Sequence, residues 1–162
     1  PVDPGVCREH LTSLLREESE LLAELEELLA SESRVLEASD IRALETTTRA
    51  RQERMGALAR LEEQRRSLCS AHGFSADRTG LEALMAWCDP EGKLLSRLRD
   101  CAASAVRCRD LNDRNAIIVA ARLKRVEGML DALTGRPARS DTYGPRGYGN
   151  ANGRPGRVLG AA

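Results

Sequence analysis

The chain has 162 residues, equal numbers of basic and acidic side chains (25 each), and 41% hydrophobic residues but only 2% aromatic ones. One domain fits this length, and so few bulky rings cannot fill a thick two-layer core, which leaves seams between long helices as the natural place for burial. Zero net charge without a concentrated basic face argues against nucleic acid as a partner, and no apolar run approaches the roughly 20 residues of a membrane span.

Charge is nonetheless uneven. Between Arg8 and Ala38 nine acids face only Arg8, Arg16 and Arg34, whereas from Gly135 onward five arginines face Asp141 alone. An acidic head and a basic tail point to protein contacts. The five cysteines, Cys7, Cys69, Cys88, Cys101 and Cys108, lie in helix-like sequence without the dense spacing of a disulfide framework, as expected of a reduced cytoplasmic protein. No signal-peptide pattern opens the chain. It starts at Pro1 rather than Met, which points to an initiator or a short leader missing ahead of it.

The first predicted helix covers residues 4–38. Leu15, Leu22, Leu29 and Leu36 recur every seven residues, and Leu11, Leu14, Leu21, Leu25, Leu28 and Val35 widen the stripe. Glu18 and Glu32 stand where further leucines would fit, so a partner helix is expected to supply Arg there, or the seam to stay partly open. Ser39-Asp40 marks a break, since either side chain caps a following helix. The second helix covers 40–72 and ends at His72-Gly73, where Gly73 suits a left-handed position. The short connection makes the pair an antiparallel hairpin.

A short helix over 80–88 follows, read from Thr79-Gly80-Leu81-Glu82 as a capping box. Asp89-Pro90 ends it, with Pro90 expected in the first turn of a third long helix over 91–134. There Leu94, Leu98, Cys101, Ala105, Cys108, Asn112, Asn115, Val119, Arg122, Val126, Met129 and Leu133 alternate steps of four and three, an a/d repeat. The small residues Cys101, Ala102 and Ala105 are expected to permit close packing. From Gly135, seven glycines and three prolines cannot sustain a helix, and 135–162 reads as a flexible Gly/Arg-rich tail, disordered when alone. The expected architecture is therefore all-α: an elongated antiparallel hairpin plus a third long helix in a coiled-coil-like bundle over 1–134, and the tail.

Several residues carry possible chemistry. Asn112 and Asn115 on the seam are expected to fix its register at some cost in stability. Cys7 with His10 and Cys69 with His72 are each three residues apart, and the hairpin brings both pairs to one end, where two Cys and two His could hold zinc. The spacing is not that of a standard finger and inert packing is the favoured reading, so neither metal nor other cofactor is expected. His10 and His72 have no triad partners and there is no glycine-rich phosphate loop, so the chain is expected not to be an enzyme. The apolar surface from Ile117 to Leu133 is wider than one seam and suits both internal packing and a partner's amphipathic helix. Tyr143 and Tyr148 in a basic tail are candidate anchors for a short linear contact.

These features together resemble the FlgN family of flagellar export chaperones. The resemblance runs over essentially the whole chain: the opening Leu14-Leu15-Arg16-Glu17-Glu18 to Leu28-Leu29, Asp40 to Leu44, Arg65 to Gly73, and Asn112-Asp113-Arg114-Asn115 ahead of Leu133-Thr134-Gly135. It ends with the tail stretch Thr142-Tyr143-Gly144-Pro145-Arg146-Gly147. Ala116 stands where members often carry Gly, and the tail is richer in Gly and Arg than members usually show. The resemblance implies an ATP-independent cytoplasmic chaperone that binds the amphipathic terminal helices of hook-associated (hook–filament junction) proteins, prevents premature assembly and delivers them to the export gate. Client contact would fall to Ile118, Val119, Leu123, Val126, Met129, Leu130 and Leu133, and export-gate contact to Tyr143. The rival readings are a structural coiled-coil or oligomerisation protein without a secretion client, and a zinc-dependent regulatory module. Oligomeric state is left open by the sequence.

Overall fold

The computed structural model describes residues 3–135, which are helical apart from short connections, with no strand among them. The chain divides into two compact units, Pro1–Arg125 and Val126–Ala162. The helices are α1 (Pro4–Ala38), α2 (Ile41–Ala71), α3 (Arg78–Cys88) and α4 (Lys93–Thr134). The tail expected over 135–162 lies, beyond Gly135, outside the described residues.

Local chemistry sets each boundary. Asp3 caps α1 by accepting from the Gly5 amide, with Pro4 in the first turn, where its missing N–H costs nothing. Ser39 ends α1 in a left-handed conformation (φ 61°), and Asp40 at once caps α2 by accepting from Ala43 N at 3.1 Å. At the far end of α2, Gly73 N donates to Ser70 O and Phe74 N to Cys69 O, the paired bonds of a Schellman motif, with Gly73 at φ 77°. Phe74 then turns inward against the core.

Two sequence expectations need correction here. The short helix starts at Arg78, not Gly80, because Asp77 and not Thr79 is its cap: the Asp77 carboxylate accepts from Gly80 N and from the Ser75 hydroxyl, both within 2.8 Å. Gly80 is required for a steric reason, since a Cβ there would lie 1.9 Å from the Ser75 carbonyl oxygen. The last helix starts at Lys93 rather than residue 91. Asp89-Pro90-Glu91-Gly92 forms a turn closed by Gly92 N to Asp89 O at 3.0 Å, with Pro in its second position, so Pro90 precedes the helix. The buried Asp89 carboxylate accepts from Leu94 N at 2.7 Å and seats the first turn of α4.

In the first unit α1 and α2 are antiparallel, and their leucine seam is broken by charge where the sequence shows Glu18 and Glu32. Arg65 meets Glu18, and Arg51 Nε lies 3.3 Å from Glu32 Oε2. Leu25, midway between the two glutamates, is buried in the apolar core, and Leu58, midway between the two arginines, packs against that core. At the α3 end, Cys7, Leu11, Cys69, Leu81, Leu84, Met85 and Cys88 are buried in the same core. Each fully buried aliphatic side chain contributes about 1.5–3 kcal/mol.

Glu32 is 6% exposed, so removal of Arg51 would strand a carboxylate in the seam. Arg51→Leu is expected to lower the unfolding free energy by about 3 kcal/mol, and the double variant Glu32→Leu/Arg51→Leu to recover most of that loss. Urea unfolding of both measures it; equal losses in the single and double variants would mean that the charge pair is not the cause.

Candidate functional site

Helix α4 is held against α1 by a ladder of side-chain donors. The Cys101 thiol donates to Leu15 O, the Cys108 thiol to Leu22 O, and Asn115 Nδ2 to Leu29 O at 2.9 Å, each pair 86 residues apart. A constant offset means that α4 runs parallel to α1, in heptad register. Short side chains reach the backbone of the neighbouring helix only when the two helices lie close together, and a carbonyl already bonded within its helix keeps a second lone pair for them. Arg122 closes the ladder, donating to Glu37 O at 3.1 Å and to Ser39 Oγ at 3.0 Å. Its cation thereby covers a terminal carbonyl of α1.

The expected a/d seam thus divides into two lanes. Asn115 faces α1, whereas Asn112 accepts from Arg51 Nη1 at 2.9 Å and faces α2. The two asparagines and the Glu32–Arg51 pair make one polar layer across three helices.

The residues expected to contact a client are placed unequally. In the first unit Val119 and Leu123 are 47% and 59% exposed, Ile117 is exposed beside them, and Ile118 is half-buried. In the second unit Val126, Met129, Leu130 and Leu133 are all exposed, Leu133 to 84%, at spacings that share a helix face. Tyr143 and Tyr148 lie outside the described residues.

A feature absent from the sequence expectations is a cleft of about 230 Å³ between α2 and α4, closed at one end by α3. Leu81, Leu98, Cys101, Ala102 and Ala105 form its apolar lining, and Glu18, Glu62, Arg65, Arg66, Asp77 and Arg78 its polar walls. Ala102 and Ala105 were expected to bring helices close. Only Cys101 is buried; both alanines are exposed and leave space instead of closing it. Arg65 is shared by Glu18 and Glu62. Burial raises the Glu18 carboxyl above the ordinary range despite the Arg65 cation, whereas the hydrogen bond from Arg65 holds the more exposed Glu62 below it.

The zinc candidates are not assembled. Cys7 and Cys69 are core residues, His10 is exposed, and His72 stacks at a tilt on Trp87 with ring centroids 5.9 Å apart. Among the described residues no three His, Cys, Asp or Glu side chains are placed to hold a metal ion. Burial pushes the Cys7 thiol up to about 12, reinforced by Cys88 beside it, and Cys101 up to about 11; Cys69, Cys88 and Cys108 also rise. A protonated, buried thiol is a poor nucleophile and a poor metal ligand. At pH 8 Ellman's reagent is therefore expected to titrate almost no thiol in the native protein and five in 8 M urea. Rapid reaction of Cys7 in the folded state would contradict this placement.

Comparison with curated proteins and with solved structures finds no match. A family model described as "FlgN protein" matches residues 8–150, so it includes all of α2, α3 and α4 and continues past the last described residue. No helix among the described residues is long and apolar enough to cross a membrane. The match takes in most of the chain, and the protein belongs to the FlgN family of flagellar export chaperones.

Proposed function

We propose that this chaperone acts in the cytoplasm by binding the amphipathic terminal helices of hook-associated proteins, the components of the hook–filament junction, and that it passes them to the export gate without catalysing any reaction. The observation that carries the reading is the exposure of Val119 and Leu123 in the first unit and, taken by itself, of Val126, Met129, Leu130 and Leu133 in the second, in a FlgN-family chain. A monomer gains nothing by holding so many aliphatic side chains in water. An amphipathic helix with heptad spacing would cover either row and leave its own polar face outward.

The physics of the task fits the site. A client that polymerises through helical seams after export must have those seams masked before it, and masking by burial is reversible. Affinity set by buried apolar area needs no nucleotide, and release follows when a competing surface takes the client. Tyr143 is the proposed export-gate contact, by the family resemblance of its Tyr-Gly-Pro-Arg-Gly stretch.

Leu123→Asp and Leu133→Asp change exposed positions, so each is expected to shift stability by no more than about 0.5 kcal/mol. Each should weaken binding of a hook-associated protein at least tenfold, or about 1.4 kcal/mol. Isothermal titration against the client, with urea unfolding as the stability control, provides the test. Unchanged affinity in both would overturn the proposal, and concentration-dependent self-association with no client bound would favour a structural coiled-coil protein. Tyr143→Ala should leave client affinity as it is and lower capture by the cytoplasmic part of the export gate. Unaltered capture would remove the tyrosine from that role.

A further inference from the structure

The register that places Arg51 of α2 beside Asn112 of α4 can be followed in both directions within the first unit. Residues on the outer side of that contact form two facing rows. Glu62 and Ala102 both line the cleft. Continued by helix geometry from Arg51–Asn112, that register sets Met55 opposite Arg109, Thr48 opposite Ala116 and Ile41 opposite Leu123, and Arg122 bonded to Ser39 Oγ anchors the last pair. Ile41 is 80% exposed and Met55 52%, and both stand whole heptads from Glu62 along α2. The two rows thus carry apolar side chains at both ends, the cleft at one and Ile41 with Leu123 at the other, and the α4 row includes the small Ala102 and Ala116.

We infer that this groove is the bed of the client helix, which lies along α2 and α4 together as the fourth helix of a bundle. The inference rests on the proposed client-binding role and specifies which surface takes the client and what its helix must look like. A cleft of about 230 Å³ lined by Leu81, Leu98, Ala102 and Ala105 accepts one or two large aliphatic side chains. One heptad on, Arg109 is exposed and pairs with no carboxylate among the described residues, so the occupant should present Asp or Glu there. Opposite Ala116 a bulky residue fits, and between Ile41 and Leu123 another aliphatic one. Three heptads at 1.5 Å per residue make a contact about 31 Å long.

The test uses the whole chain and fluorescently labelled synthetic peptides with the amphipathic terminal helix sequences of a hook-associated protein from the same genome, read by anisotropy. Met55→Glu and Ala102→Trp, the second of which fills the cleft, should each weaken binding at least tenfold. Arg109→Glu should weaken it severalfold, and a peptide with its acidic residue changed to Lys should restore affinity to that variant and lose it for the native chain. Arg109 is a surface residue and its variant folds whatever becomes of Ala102→Trp; far-UV circular dichroism verifies this. If Leu123→Asp abolishes binding while Met55→Glu and Arg109→Glu bind like the native chain, α4 alone holds the client and the groove is wrong. If Leu123→Asp and Leu133→Asp also bind normally, the client-binding role itself fails.

Discussion

The close contact between α1 and α4 governs the rest of the molecule. It exists because Cys101, Cys108 and Asn115 are short enough to let two helices approach, and because each carries a donor that reaches a carbonyl of Leu15, Leu22 or Leu29. Larger side chains at those positions would push α4 outward and open the core around Leu22 and Leu29. The cost of this solution is that the α1-facing lane of α4 buries little apolar area. The aliphatic side chains of α4 consequently sit in other lanes, and whatever α2 does not cover stays in water. Exposed aliphatic surface on α4 is therefore a consequence of how the bundle is closed.

Charge performs the second structural task. Glu18–Arg65 and Glu32–Arg51 alternate with the apolar Leu25–Leu58 layer, so sliding α1 against α2 by one heptad would set both glutamates opposite leucines in one direction, and Glu32 opposite Leu58 with Glu18 opposite His72 in the other. Such pairs add little to stability, since burial costs about as much as the attraction returns. Misalignment is far more expensive, because it leaves a carboxylate without a partner. The raised pKa of Glu18 shows the same balance: desolvation outweighs Arg65. A bundle with few aromatics and many interchangeable leucines has small energetic differences between registers, and these layers supply the discrimination that shape does not.

The helices were readable in the sequence because their signals are local. The seven-residue leucine repeat, the Ser39-Asp40 break and the His72-Gly73 stop each act through a few neighbouring residues. The expectation that arginines would answer Glu18 and Glu32 also needed only the periodicity. Three matters were not readable. Thr79 and Asp77 both look like caps, and the choice depends on Ser75 folding back onto Gly80, a contact visible only in three dimensions. Asn112 and Asn115 share one a/d pattern, yet one serves α2 and the other α1, because a pattern gives the face of a helix without giving its neighbours. Alanine at 102 and 105 is ambiguous for the same reason. A small residue means close packing where a helix approaches, as at Cys101, and an opening where none does.

That last ambiguity has functional weight. α1 ends at Ala38, whose position in the parallel register is Lys124, and Arg122 already clasps the α1 terminus through Glu37 and Ser39. The ladder cannot continue beyond that turn, because α1 offers no further carbonyl. Along α4 the character of the α2-facing lane changes accordingly, from Leu98 and Ala105 at the cleft, through Asn112 in the polar layer, to the exposed Val119. The polar layer at Arg51 separates the stretch of this lane that lines the cleft from the stretch that carries the exposed Val119. Val119 and Leu123 belong to the uncovered region, and they are too regularly spaced to be scattered surface residues. The lane is thus lined by small and apolar side chains at the cleft and by exposed aliphatic ones beyond the polar layer, and the proposed client would meet both without a rearrangement of α1 or α2.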